Sequence, residues 1–326
     1  FCMREDEMTL IPNPQTTTTR SAQRSTYRAF GLTIESDIPL PELTAIEPSA
    51  SPDIQIVYGR DMALPTREQG VVAQFRRDGT HFLAWPDVAA FQFRSPALIE
   101  VQPYPDTPVT YLPFPLLGPI MALALHMRKL VTLHASAIDI NGHGVIFVGD
   151  KLAGKSTTAA AFLRAGHRLL TDDLLAIQSD PAGALHILPA YGQLKLAEDA
   201  ADAVKLSSAT PLPLVYPTFE KRQHRLTADF QHDWVTPKCL YILDRVGERP
   251  GLSPLTGTQA LTSILRYSYI SRFGKAALSP ADEARHMQKC AELARQVRVA
   301  TLHVPHALNR LEETVELVRA DCEEQA

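Results

Sequence analysis

Paired cysteines, excess positive charge and long apolar runs are all scarce in this chain of 326 residues. Its four cysteines, Cys2, Cys239, Cys290 and Cys322, lie far apart and form no C-x-x-C pair, which argues against a zinc site and against a disulfide framework. Lysine and arginine total 32 against 36 acids, a formal net charge of -4, and no basic run stands out. That balance gives no reason to expect nucleic acid or an anionic membrane as a partner. No apolar stretch reads as long enough for a membrane span: the greasiest, Leu116 to Leu125, is soon followed by His126, Arg128 and Lys129. The N-terminus lacks a charged-then-apolar export pattern, so the expected location is cytoplasmic. What is present, 45% hydrophobic and 21% charged residues, is ordinary globular material.

Residues 1–25 mix charges, prolines and the run Thr16-Thr17-Thr18-Thr19 without an apolar period, and read as a loose tail. Residues 26–115 carry short apolar or alternating runs at 27–34, 54–58, 71–76, 81–85, 90–94 and 98–101, punctuated by Pro, Gly and Asp, and predict a small β-rich domain. Arg77-Asp78-Gly79-Thr80 is expected to be a hairpin turn, because Asp-Gly tolerates positive φ. From 116 to 326 the pattern turns α/β: a greasy helix over 116–130, strands over 131–140 and 144–148, and a helix from 157 to 164. Beyond these come a strand over 167–171, paired strands at 174–177 and 185–188, and a helix over 195–205. A buried strand over 239–243 follows, then helices over 259–266 and 281–296, a strand over 299–304 and a final helix over 308–319.

The segment Gly149-Asp150-Lys151-Leu152-Ala153-Gly154-Lys155-Ser156 fits the phosphate-binding pattern G-x-x-x-x-G-K-[ST], with Thr157 next in line. Backbone N–H groups must wrap phosphate oxygens closely, so glycines stand at the turns. Lys155 would reach the outer phosphates, Ser156 would ligate Mg2+, and the following helix would aim its positive end at the nucleotide. Asp172-Asp173 then ends an apolar strand, where an α/β sheet gathers strand ends around a ligand. One carboxylate there can hold a metal ion while the other takes a proton from a hydroxyl, although Asp pairs also serve as turns and helix caps. His134, with Ser136 two residues on, stands in an alternating apolar strand, a setting that suits a satisfied core histidine as well as a site residue.

Taken together, His134-Ala135-Ser136-Ala137, the Gly149 to Ser156 loop and Gly166-His167-Arg168-Leu169-Leu170-Thr171-Asp172-Asp173 resemble the catalytic core of the HPr kinase/phosphorylase family. The chain looks closest to the shorter members found with peptide-tailoring systems, including lasso-peptide kinases. Tyr27-Arg28-Ala29-Phe30-Gly31-Leu32, Leu40-Pro41 and Phe219-Glu220-Lys221-Arg222 carry that second likeness. The resemblance implies an α/β P-loop kinase domain with a mixed sheet of the HPr kinase type, preceded by the β-rich domain. It implies ATP and Mg2+ as cofactors and transfer to a serine of a peptide or small protein, with HPr or free serine as other acceptors and homo-oligomers among its relatives. Lys155 would bind phosphates, Ser156 and Asp172 the metal, Asp173 would be the general base and His134 would orient the acids. Neighbouring acids can exchange such roles. Lys221 and Arg222 are candidates for further phosphate contacts, because a loose transition state needs cations on its oxygens. Thr157 stands where the family has an acid, and Pro189 to Leu196 replaces a glycine-rich segment with a metal-ligating Glu. From a different class, a regulatory nucleotide-binding ATPase would carry the same loop but would have no need of a base beside it.

Overall fold

The computed structural model describes residues 24–204, 206, 209–212, 221–226, 228–274 and 277–324. Most of the expected tail, with Cys2 and the threonine run, lies outside them, as do Phe219, Glu220 and 213–217. The chain forms two compact units, one of residues up to Lys129 together with Arg272–Glu283, the other of Leu130–Ser271 and Ala284 onward. The division therefore falls after Lys129, not after residue 115, and a later segment joins the first unit. Neither feature is legible locally, since both arise from contacts remote in sequence.

In the first unit, eight strands form one sheet in the order Thr44–Ile46, Ser25–Ala29, Leu32–Ser36, Ile54–Tyr58, Leu98–Pro103, Ala89–Ser95, His81–Trp85, Val72–Phe75. The run expected as one strand over 27–34 is a hairpin, reversed by Phe30 and Gly31 at φ 54° and 69°. The Asp78-Gly79 turn is present: Thr80 N–H and Oγ1–H both donate to Asp78 Oδ1, and Gly79 has φ 81°. The greasy helix is longer than expected. Helical turns run from Val109 to Met127, nineteen residues apolar enough to cross a membrane, yet 61% of that window is buried inside the protein. Leu112, Leu116, Ile120, Met121 and Leu125 are buried, as in a core helix. A π-type turn at Leu116–Ile120 absorbs Gly118 and Pro119, and Lys129 at φ 67° ends the run.

The second unit is organised by a six-stranded mixed sheet in the order Arg168–Thr171, Ala135–Ile140, His143–Val148, Thr236–Asp244, Arg298–His303, Gly251–Leu255. His143–Val148, Thr236–Asp244 and Arg298–His303 are mutually parallel, and the remaining pairs are antiparallel. Both faces are covered, which is why Val145 to Val148 within His143–Val148 reads as an unbroken apolar run. Ile138, Val145, Phe147 and Tyr241 pack with Phe162, Val315 and Val318 of the helices Lys155–Arg164 and Leu311–Glu323. Ala137, Ile146, Val148 and Leu240 pack on the other side with Ile264, Cys290 and Leu293 of Gly257–Tyr267 and Pro280–Gln296.

Two local expectations are corrected. The strand over 131–140 is broken at His134: Val131–Leu133 pairs with Leu175–Ser179 in a separate three-stranded sheet, while Ala135–Ile140 enters the main one. The helix over 195–205 is a strand, Gln193–Leu196, followed by a shorter helix, Glu198–Val204. Pairing with Arg222–Leu226 holds that strand extended, a tertiary effect that overrides the helical propensity of Lys, Leu, Ala and Glu.

Candidate active site

Strand direction assembles the site. Arg168–Thr171 is antiparallel to Ala135–Ile140, which is antiparallel to His143–Val148, so the ends carrying Asp172 and Gly149 emerge at one edge of the sheet. The register puts Ala135 opposite Val148 and Ala137 opposite Thr171, and so brings His134 to the same edge.

The loop lies between strand and helix as expected. Gly154 adopts φ 98° and opens the helix Lys155–Arg164 with no side-chain cap, leaving its first N–H groups to be satisfied from outside. A Cβ on Gly149 would come within 2.9 Å of the Ala153 Cβ and 3.2 Å of the Leu243 carbonyl oxygen, so the close approach admits no side chain. Lys155, 7% exposed, curls back and donates from Nζ to the carbonyls of Gly149 at 2.9 Å and Asp150 at 3.2 Å. Of the remaining loop residues, Lys151 and Leu152 are exposed, Leu152 at φ 68°, and Thr157 is half-buried on the first turn. Asp150 is exposed and is bound by Arg266 at 2.8 Å.

Asp172 is almost fully buried and accepts three donors: Ser136 Oγ at 2.5 Å and Ser156 Oγ at 3.0 Å on Oδ1, and the Lys195 backbone N–H at 3.0 Å on Oδ2. Burial pushes its carboxyl upward and the adjacent Asp173 adds to this, opposed by the Ser136 and Lys195 hydrogen bonds. Asp173 has φ 75°, a conformation costing an L-residue about 1 kcal/mol that Asp tolerates better than most. Its Oδ2 is 2.5 Å from the Lys195 ammonium. Burial alone would raise the Asp173 carboxyl, but Lys195, His134 and Lys221 outweigh it and hold the group well below the usual carboxylate range. Lys195 in turn is driven up: burial disfavours its charge, and Asp173 more than restores it.

His134 reaches the acids through the main chain. Its Nδ1 lies 3.0 Å from the Asp173 carbonyl oxygen, an acceptor, so Nδ1 carries the proton. The His134 N–H donates to the Tyr267 carbonyl at 3.0 Å, and Tyr269 presents its ring edge-on. Lys221 bears on Asp173 electrostatically, whereas Arg222 is exposed on its strand. Sequence reasoning missed Lys195 as a site residue, along with Ser136 as a partner of Asp172 and the Arg266 contact to the loop. It also missed Gln193, which is 4% exposed with neither amide atom partnered. Only Ser136 left a signal, through its two-residue spacing from His134.

For Mg2+, the donor set fits. Ser156 gives its proton to Asp172 and keeps oxygen lone pairs for a hard cation, which ordinarily completes its shell with phosphate oxygens and water. No group of three His, Cys, Asp or Glu side chains that could hold a metal ion stands together among the described residues.

The fold and site define an α/β unit with a strand, a glycine-rich loop and a helix facing an acid pair, Asp172 buried and Asp173 half-buried. Residues 126–187 match the HPr Serine kinase C-terminal domain, so the central segment is similar to the HPr kinase/phosphorylase family. It is 39% identical over 72 residues to an HPr kinase/phosphorylase of Streptococcus thermophilus, covering 22% of this chain and 23% of that one. Over 56 residues it is 34% identical to the Lachnoclostridium phytofermentans protein of the same name, 17% of this chain and 18% of that one. Over 46 residues it is 46% identical to the one from Limosilactobacillus reuteri, 14% of each chain. The match therefore spans less than a quarter of each of these relatives. An Hpr(Ser) kinase/phosphatase structure from Coxiella burnetii aligns over 60% of this chain and 99% of its own at 14% identity, with a TM-score of 0.30.

Proposed function

We propose that this chain is an ATP- and Mg2+-dependent phosphotransferase that acts on a serine hydroxyl of a small protein. The observation that carries the reading is Asp172, which accepts from Ser156 of the loop while its neighbour Asp173 stands ionised beside Lys195. A loop that only gripped nucleotide would need no second carboxylate at this edge, which weighs against a regulatory ATPase. In phosphoryl transfer the transition state is loose, so positioning and charge dominate over covalent help. The bare helix N-terminus and Lys155 would take the phosphates; Lys155 would exchange the loop carbonyls for phosphate oxygens. Ser156 would hold Mg2+, with Asp172 fixing the serine hydroxyl, and the ion supplies charge neutralisation on the phosphate oxygens. Asp173 would accept the acceptor's proton, and His134 would hold the Asp173 backbone in its left-handed conformation.

The matched relatives are named for HPr, so an HPr-like protein is the acceptor favoured. The narrower peptide-tailoring acceptor rests on the resemblance of Tyr27 to Leu32 and of Phe219 to Arg222, of which Phe219 and Glu220 lie outside the described residues. The test is incubation with ATP, Mg2+ and a panel of HPr, precursor-type peptides and free serine, followed by mass spectrometry. Phosphate on a protein or peptide serine is expected, whereas ADP formed with no acceptor modified would sink the reading. Asp173→Asn should lower transfer by about 10³-fold or more while nucleotide still binds. An active Asp173→Asn beside a dead Asp172→Asn would reverse the two roles.

A further inference from the structure

We infer that Lys195 is a positioning residue whose ammonium takes the place of a second divalent cation beside Asp173, so that the site works with one bound ion. This rests on the phosphotransferase reading above. Transfer between oxygens places negative charge on both sides of the phosphoryl group, and many sites hold two metal ions a few ångströms apart for that purpose. Here the second cation is built into the chain. Lys195 Nζ lies 2.5 Å from Asp173 Oδ2, and the backbone N–H of the same residue donates to Asp172 Oδ2 at 3.0 Å. One residue thus engages both acids.

The ammonium is not carried on a free arm. Leu194 and Leu196, on either side of it, are 0% and 2% exposed in the core, and Lys195 pairs with Gln223 across the sheet. Strand alternation then fixes Lys195 on the face turned away from that core. The charge of Lys221 reinforces it at Asp173. On Asp172, Oδ1 already accepts two hydroxyls and Oδ2 one N–H, so little capacity is left for direct ligation. A second divalent ion shared by the two acids would have to displace the ammonium or lie against it, and like charges at such separations in a partly buried site repel.

Titrating Mn2+ into the full-length protein with a non-hydrolysable ATP analogue, read by electron paramagnetic resonance, counts the ions directly. One nucleotide-dependent Mn2+ per chain is expected for the wild type and for Lys195→Arg, and two for Lys195→Gln, which vacates the place. Transfer by Lys195→Gln should fall about 10²-fold at low Mn2+ and recover as the second ion binds, with Lys195→Arg largely active. Two ions in the wild type, or one in a Lys195→Gln protein that still binds the analogue, would overturn the inference and leave the phosphotransferase reading intact. Absence of any nucleotide-dependent ion in the wild type would overturn both.

Discussion

Asp321, buried, and Asp173, half-buried, are carboxylates of the same unit, each bound to a cation, and the difference between them separates a closed ion pair from an open one. Asp321 takes a two-pronged grip from Arg298, at 2.7 and 2.6 Å, and a third bond from Tyr241 Oη at 2.7 Å. It sits in the regular helix Leu311–Glu323, and Arg298 opens a strand of the main sheet. Asp173 is bonded by the Lys195 ammonium with Lys221 acting on it electrostatically, and it has a carboxylate as its chain neighbour and a left-handed backbone. Geometry satisfies the first completely; the second is held in place against repulsion and strain. Strain of this kind persists where the surrounding structure over-determines it, as it does at functional sites.

The sharpest way to break this contrast is to neutralise each acid in turn and measure urea unfolding. Asp321→Asn should cost about 2 kcal/mol, because the half-buried guanidinium of Arg298 loses its charged partner. It should leave transfer activity within about threefold. Asp173→Asn should cost less, about 1 kcal/mol: Lys195, His134 and Lys221 lose the charge they favour, while the repulsion felt by Asp172 is relieved, Lys195 keeps Asp172 nearby and Asn tolerates positive φ. Equal losses for the two variants would mean that the Asp173 pair is structural, like the Asp321 pair.

A smaller effect sharpens the comparison through a group that is buried neutral. His286, buried among Ser268 Oγ at 2.8 Å and Cys290 Sγ at 3.5 Å, is held below the usual histidine range by burial first and by Lys289 second. Its folded pKa is depressed, so between that value and 6.5 the unfolded chain binds more protons than the folded one. The stability it contributes is complete above pH 6.5 and is lost as pH falls below it, with a slope of at most about 1.4 kcal/mol per pH unit. His286→Gln should flatten that part of the stability profile. Identical profiles for variant and wild type would show that His286 charges freely in the fold.

How much of this was legible depended on distance along the chain. The strand, loop and helix from Val145 to Arg164 were readable because strand propensity, glycines and helix formers act locally there. The shared edge of Gly149 and Asp172 followed from the short return between Arg164 and Arg168. Lys195 was not readable: its neighbours favour helix, and only pairing with Arg222–Leu226 draws it into a strand. The break at His134 is of the same kind, set by an N–H bond to Tyr267 far along the chain. Local chemistry thus made the glycine-rich loop and its flanking strand and helix legible, and tertiary pairing supplied the ammonium that faces Asp173.

Gln193 gives the smallest expected change and the finest distinction between the two regions. Every carboxylate oxygen of Asp321 is bonded, whereas the Gln193 amide, on the same strand face as Lys195, has neither its oxygen nor its nitrogen partnered. An unmade hydrogen bond in a buried position is a cost to the fold. Gln193→Leu keeps nearly the same volume and removes that cost, so the unfolding free energy should rise by about 1 kcal/mol. If the amide is kept for a ligand, the same variant should raise the KM for the protein acceptor while sparing nucleotide affinity. A variant that is more stable with unchanged KM would assign Gln193 to the fold alone, and one that is no more stable would show that water already satisfies the amide.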